Sequence, residues 1–319
     1  MTTIDTPAAQ VQRDRWGRPL VIPPGGGRPV AYRRCTRYIG VLDDRSALER
    51  WKMRQVAAGL AARPDLLAQA ASAAGDKSIL DSAAGAAMEA AGSSAAATTG
   101  TAVHRLTEQL DSGQEPVVPE AHRADLEAYR EATAGLAVAD IEVFVVDDSH
   151  QVGGTFDRVM VHRGRRYVAD IKTGSIEWNA AEIQMQLAMY AGSSRYDPAT
   201  GARTPLDVEQ DWGLVIHLPA GQGRCDLWWA NLAEGRVGLE ICRQVWRWRA
   251  SRHRFNRRYT TVLERIDAAA DVDQLVQVWA DHAGEWDDTL TAAAAARKKE
   301  LLAGNGPAGQ EKEKEIEQA

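Results

Sequence analysis

The sequence predicts a layered domain of mixed α and β structure, α/β in the broad sense (mixed α+β), with helical additions at both ends. Two observations carry that prediction. Three strand-like segments, 141–146, 152–161 and 166–172, follow one another across the turn-rich Asp147-Asp148-Ser149-His150 and His162-Arg163-Gly164-Arg165. Helical periodicity brackets them, over about 101–110 and up to 134 on one side and 179–196 on the other, the latter with Ile183, Leu187 and Tyr190 along one face. Two further strands, 212–218 and 225–229, flank the turn Pro219-Ala220-Gly221-Gln222-Gly223, and a helix over 237–258 closes the unit. The order is helices, three-strand meander, helix, two strands, helix, which suits helices layered on a sheet.

The ends read differently. Residues 1–30, with Pro23-Pro24-Gly25-Gly26-Gly27, read as a flexible arm. Residues 45–71 place Leu48, Trp51, Met53, Val56 and Leu60 at near-helical spacing. From 83 to 99 nearly every residue is Ala, Gly, Ser or Thr, which leaves either a linker or a loosely held helix. The expected organisation is therefore an arm (1–30), a helical segment with an Ala-rich linker (31–95), a core (96–260), a helical extension (261–304) and a charged, disordered tail (305–319). Composition narrows the setting. The net charge of −6 gives no global signature of nucleic-acid binding, so any such contact must come from local basic patches. Cys35, Cys225 and Cys242 are scattered, without CxxC spacing, and suggest neither a disulfide framework nor a zinc site. No apolar run approaches membrane-spanning length and the N-terminus lacks a basic-then-apolar signal pattern, so the expectation is a soluble, cytoplasmic protein.

The candidate chemistry lies in the meander. Gly153-Gly154-Thr155-Phe156-Asp157 precedes Val168-Ala169-Asp170-Ile171-Lys172-Thr173-Gly174. Residues two apart on a strand face the same way, so Asp170 and Lys172 share a face. A carboxylate beside an ammonium suits metal-assisted hydrolysis: one holds a hard cation, the other orients or deprotonates water. A two-residue loop Arg163-Gly164 sets Asp157 opposite Asp170, and a loop Gly164-Arg165 sets it opposite Lys172. Either register puts all three on one face; a three-residue loop breaks the agreement. The alternative is an ordinary hairpin with exposed charges. His104 and Glu108 stand one helical turn apart, as do Gln186 and Tyr190, and routine helix packing accounts for such pairs equally.

Taken in order, Gly100-x-x-x-His104, Gly154-x-x-Asp157, Asp170-x-Lys172-Thr173-Gly174 and Gln186-x-x-x-Tyr190 resemble the RecB-like motifs of the PD-(D/E)xK nuclease superfamily. Phage-type exonucleases and the CRISPR-associated iron–sulfur exonucleases share them, and the resemblance covers about residues 96–258. It implies a restriction-endonuclease-like core with a central mixed sheet flanked by helices. By the same resemblance His104, Asp157, Asp170 and the backbone carbonyl of Ile171 would hold Mg²⁺ or Mn²⁺. Lys172 would be the catalytic lysine, with Gln186 and Tyr190 positioning it or the DNA. Glu142 matches a place where many members carry another acid, and Glu108 is a further candidate. The chain departs from the cluster-bearing members, because Cys225 and Cys242 do not supply their downstream cysteine group, so no iron–sulfur cluster is expected. It also has no Gly-Lys-Ser/Thr phosphate loop, hence no ATP motor of its own. The implied activity is DNA exonuclease, with a recombinase or a single-strand-annealing or -binding protein as a partner; the alternatives are a structure-specific or restriction-type endonuclease and a non-catalytic nucleic-acid-binding scaffold.

A second patch concerns substrate. From Cys242 to Arg258 there are seven arginines and no acid. Arg243, Arg247, Arg249, Arg252 and Arg254, interleaved with Trp246 and Trp248, have the chemistry to contact phosphates and stack on bases. Tryptophans packed inward with arginines in water fit the same pattern.

Overall fold

A computed structural model describes residues 11–251 and 260–304. The chain divides into two compact units, Met1–Ser251 and Arg252–Ala319, so the first ends earlier than the core expected to run to 260 and takes in everything before residue 96.

In the first unit, short strands β1 (Leu20–Val21), β2 (Val30–Ala31) and β3 (Arg33–Arg34) lead into a one-turn helix α1 (Cys35–Ile39). Helices α2 (Ser46–Ala62), α3 (Pro64–Ser72) and α4 (Lys77–Ala90) then pack on one another. Next come α5 (Ala95–Asp111), α6 (Arg123–Thr133) and the meander β4 (Ala137–Asp147), β5 (Val152–His162) and β6 (Arg165–Lys172). Helix α7 (Ala180–Ala191), strands β7 (Ser194–Tyr196), β8 (Arg203–Pro205), β9 (Trp212–His217) and β10 (Asp226–Asn231), and helix α8 (Leu232–Ala250) complete it.

The sheet is mixed, in the order β10-β9-β6-β5-β4-β7-β8, with β3 added in parallel beside the start of β5. Strands β6 and β9 run parallel, and the other pairs along that order are antiparallel. Helices α7 and α8 cover one face over Val143, Val145, Phe156, Val168 and Val215; Val103 of α5 and Tyr129 of α6 pack with Met160, Ala169, Ile171 and Ile216 on the other. This is the flanked mixed sheet expected.

The hairpin turn settles the register. His162 pairs with Arg165, leaving Arg163-Gly164 as the two-residue loop, both with positive φ (50° and 75°). Two such residues match the right-handed twist of the strands. Arg158 then pairs with Ala169, which sets Asp157 opposite Asp170.

Several expectations change. Residues 11–31 are not a free arm: Val21 and Tyr32 are buried against Val146 and Tyr196. Tyr196 accepts a hydrogen bond at its hydroxyl from the Ile22 amide (2.9 Å), and Tyr32 donates its own to Asp148 (2.6 Å). The Ala-rich 83–99 segment is not a linker. It supplies the end of α4 and the start of α5, where Ala83 and Ala87 are buried and Gly59 lets α2 approach the Ala87 carbonyl. Helix α7 stops at Ala191 with Gly192 as its cap, so 194–196 form a strand instead of a last turn. Helix α8 begins five residues earlier than expected, because Asn231 caps its first amides, those of Ala233 and Glu234.

The second unit contains α9 (Val262–Asp267), α10 (Val272–Asp281) and α11 (Asp288–Gly304), packed around Ile266, Ala269, Leu275 and Val278. A capping box between Thr261 and Glu264 starts it. The tail from 305 lies outside the described residues. Among those described, no helix is long and apolar enough to cross a membrane.

Candidate active site

The paired part of β5 and β6 ends at Arg158 and Ala169, and the site opens just beyond it. There the Ile171 amide donates to the Asp157 carboxylate (Oδ2, 2.6 Å), a side chain standing in for a strand carbonyl. Strand alternation also fails at this point. Phe156 packs on Tyr190 of α7, while Arg158, two residues on, reaches Asp111 and Thr107 of α5 on the opposite layer. Glu142, bracketed by the pairs Ile141–Arg158 and Val143–Phe156, has φ +51°, a left-handed backbone inside a strand. Non-glycine residues adopt this at a cost, and such strain gathers at functional sites. The expectation that Asp157, Asp170 and Lys172 share one face thus holds for Asp170 and Lys172, which meet α7, while Asp157 sits at the crossing.

Lys172 Nζ lies 2.6 Å from Asp170 Oδ2 and donates to Gln186 Oε1 at 2.9 Å. Gln186 Nε2 in turn donates toward Asp170 Oδ1 (3.4 Å) and to the Tyr190 hydroxyl (3.2 Å). The lysine therefore fixes which way the amide points. Gly154 lets the Tyr190 ring this close: a Cβ there would lie 2.8 Å from it. From the other layer, His104 Nδ1 stands 3.5 Å from Asp157 Oδ1. Gly100, one turn earlier on α5, brings that helix against Thr173, whose hydroxyl would lie 2.8 Å from an added Cβ.

Electrostatics separate the two aspartates. Burial opposes ionisation of Asp157, but the His104 ring and the Ile171 amide outweigh it and hold its pKa below the ordinary value. Asp170 goes the other way: burial, then the charge of Asp157, push it up to about 6 against the pull of Lys172. Glu142 is raised to about 7 by burial, Asp157 and Glu108. Burial disfavours protonated His104, yet Asp157 raises its pKa.

His104, Asp157, Asp170, Ile171, Lys172, Gln186 and Tyr190 all line one cavity of about 750 Å³. A second hollow of about 500 Å³ shares His104, Asp157 and Thr173 with it and adds Glu108 and Glu142. As the side chains stand, no three His, Cys, Asp or Glu groups among the described residues are gathered as a metal-holding set. The reason is visible in the contacts: Asp170 is turned to Lys172 and Gln186, and Asp157 to His104 and the Ile171 amide. The donor types nevertheless fit a hard divalent cation, two carboxylates with an imidazole and a carbonyl.

Sequence reasoning missed Arg158 and His217. Arg158 is buried, donates to Asp111 (2.6 Å) and to the Asp157 carbonyl (2.8 Å), and so ties α5 to the site strand. An arginine inside an apolar strand is a signal that the sequence did carry. Buried His217 pairs in register with Lys172 and donates to the Gly174 carbonyl (3.0 Å), steadying the loop after the lysine.

The basic helix is mixed in use. Trp246 is half-buried, donates to the Tyr38 carbonyl (2.9 Å) and stacks on Tyr38, and Arg243 pairs with Glu240. Trp246 therefore serves packing and Arg243 is held in an ion pair on its own helix, whereas Arg247, Arg249 and Trp248 are exposed. Arg252 and Arg254 lie outside the described residues. Cys35 and Cys242 are buried in the α7–α8 core, where burial raises both thiols, to about 12 and about 11.

No curated protein matches the chain. The family model of the PD-(D/E)XK nuclease superfamily, whose members usually use divalent metal ions, matches residues 46–208, about half of the 319 residues, and the chain belongs to that superfamily.

Proposed function

We propose that the protein is a Mg²⁺- or Mn²⁺-dependent DNA exonuclease serving recombination or end processing in a phage or prophage setting, within the cytoplasm of a bacterial host. One observation carries the reading: Lys172 is held between Asp170 and Gln186 in the cavity that His104 and Asp157 also line. The motif resemblance supports the exonuclease branch, and with it a recombinase or single-strand-annealing or -binding protein as partner.

His104, Asp157, Asp170 and the Ile171 carbonyl would hold the cation, with Glu142 and Glu108 as further acids beside it. When bound, a divalent cation supplies positive charge to the phosphate and lowers the pKa of water. The chain's own residues supply the rest. The Lys172 ammonium, held beside Asp170 and Gln186, would face the attacking water or the charge growing on the phosphate. Gln186 keeps that ammonium in place through its carbonyl oxygen, and Tyr190 keeps Gln186 from swinging away. The test is to incubate end-labelled linear and closed circular DNA with the protein and Mg²⁺. Loss of the linear form alone is expected. Nicked circles would make the protein an endonuclease, and binding without cleavage a scaffold.

A further inference from the structure

The segment before the family match is strongly basic. Residues 11–40 hold seven arginines and a single acid, Asp14, in a protein whose net charge is −6. The fold brings part of this segment to the catalytic cavity, since Arg13, Gly17 and Arg34 line it together with Asp157, Asp170 and Lys172.

The arginines stand on a built loop. Arg13 and Pro19 pair as an isolated antiparallel bridge, and the Asp14 amide donates to the Arg18 carbonyl (3.0 Å). One Asp14 oxygen accepts from the amides of both Trp16 and Arg18, at 2.9 Å each. Gly17 closes the turn with φ +73°. Asp14 is spent on the loop and on Arg18, so it does not neutralise the others. Among the described residues Arg13, Arg15 and Arg34 are exposed and make no ion pair. The Arg15 and Arg18 guanidiniums lie 4.0 and 4.9 Å from the centre of the Trp16 ring, which limits where these cations can point. The base is firm as well: β3 pairs with Val152 and Gly153 of β5, and Pro19 packs toward Gly153.

We propose that this N-terminal hairpin and the end of β3 form a DNA-backbone site, in which Arg13, Arg15 and Arg34 contact phosphates of the strand entering the cavity. The assignment rests on the proposed nuclease function. Guanidiniums free of ion pairs, Arg13 and Arg34 on the cavity wall and Arg15 two residues along the loop from Arg13, are complementary in charge to a polyanion entering the site, and arginine suits phosphate through paired N–H donors. The hairpin and β3 supply this charge locally where the molecule as a whole is acidic.

The test measures binding without turnover. The full-length protein in EDTA is titrated into a fluorescein-labelled single-stranded oligonucleotide, and anisotropy is read between 50 and 200 mM salt. Each phosphate contact on a single strand contributes about 0.7 to the slope of log K against log salt. The triple variant Arg13→Ala/Arg15→Ala/Arg34→Ala should lose about 2 from that slope, with an unfolding midpoint near wild type. Replacing all three by Lys should restore the slope, which separates lost charge from a loosened loop. A wild-type slope in the triple Ala variant of a protein that binds and cuts DNA would overturn the hairpin site alone. A wild-type protein that neither binds the oligonucleotide nor cleaves DNA with Mg²⁺ would overturn the nuclease reading and the hairpin site together.

Discussion

Two ion pairs are anchored on neighbouring strands of the same sheet, Arg158 of β5 with Asp111 of α5 and Lys172 of β6 with Asp170, and are built to opposite ends. Arg158 and Asp111, 1% and 8% exposed, are enclosed: the arginine also donates to the Asp157 carbonyl and toward Thr107, and Asp111 accepts a further bond from Tyr129 (2.7 Å). Lys172 and Asp170 face a cavity instead, with the lysine 26% exposed. The first pair is shut in between α5 and the sheet. The second keeps one flank open, and that is what a group needs if it must exchange partners during a reaction. Charge is common to both; what separates structure from chemistry here is whether the pair is walled in or opens on a cavity.

The largest expected effect tests the enclosed pair. Arg158→Met leaves Asp111 buried without its cation, and breaking a buried pair in this way costs about 3–5 kcal/mol. Urea unfolding should show a loss of that order; a change within about 0.5 kcal/mol would mean that the pair is not the brace described. Lys172→Met should leave the unfolding midpoint near or above wild type.

Next comes rate. Lys172→Ala should lose on the order of a hundredfold or more in cleavage, as for removal of one transition-state stabiliser. Mn²⁺ affinity, measured by calorimetry, should hold or tighten. Asp170→Ala should lose both, and a Lys172 variant that lost metal binding as completely would reverse the roles assigned to the two.

A smaller effect follows from the raised pKa of Asp170. Its folded-state value, about 6 in the cation-free protein, lies above the ordinary aspartate value, so the proton must leave before a cation is bound. Mn²⁺ affinity should therefore climb at least tenfold per pH unit below 6, and go on climbing above it until His104, whose pKa is raised above the ordinary imidazole value, is neutral. Equal affinity at pH 5 and 7.5 would remove Asp170 from the ligand set. Asp157, with its lowered pKa, should add nothing over this range.

The smallest effect sharpens the open pair. Tyr190→Phe removes one hydrogen bond to Gln186, about 0.5–1.5 kcal/mol, and should slow turnover about two- to tenfold with metal affinity unchanged. No change would make the tyrosine a packing residue under Gly154.

The comparison also shows what could be read in the sequence. Asp170-x-Lys172 on one face of a strand is a local pattern, and the spacing of Gln186 and Tyr190 is local too; both survive into the structure. The two-residue loop left two registers, and only the positive φ of Arg163 as well as Gly164 chose between them. Arg158 and Asp111 are 47 residues apart, so nothing local marks them as partners. The arm misled for the same reason. Its Pro and Gly residues suggest freedom, while the bonds that remove it, from Tyr32 to Asp148 and from Ile22 to Tyr196, span 116 and 174 residues. Glu142 gives no sign in its identity that its backbone is left-handed.

The Arg163-Gly164 turn has a practical corollary for anyone altering this protein. Pairing between strands changes in whole residues, so the alignment of Asp157 with Asp170 is held by a count and not by a distance. One residue added to the turn cannot shift the aspartate by a fraction of an ångström; it either bulges out or moves Asp157 past its partner onto the wrong face. The turn is exposed and would attract a tag or label on that ground alone. It is nevertheless a poor place for one, because tolerance there would be all or nothing.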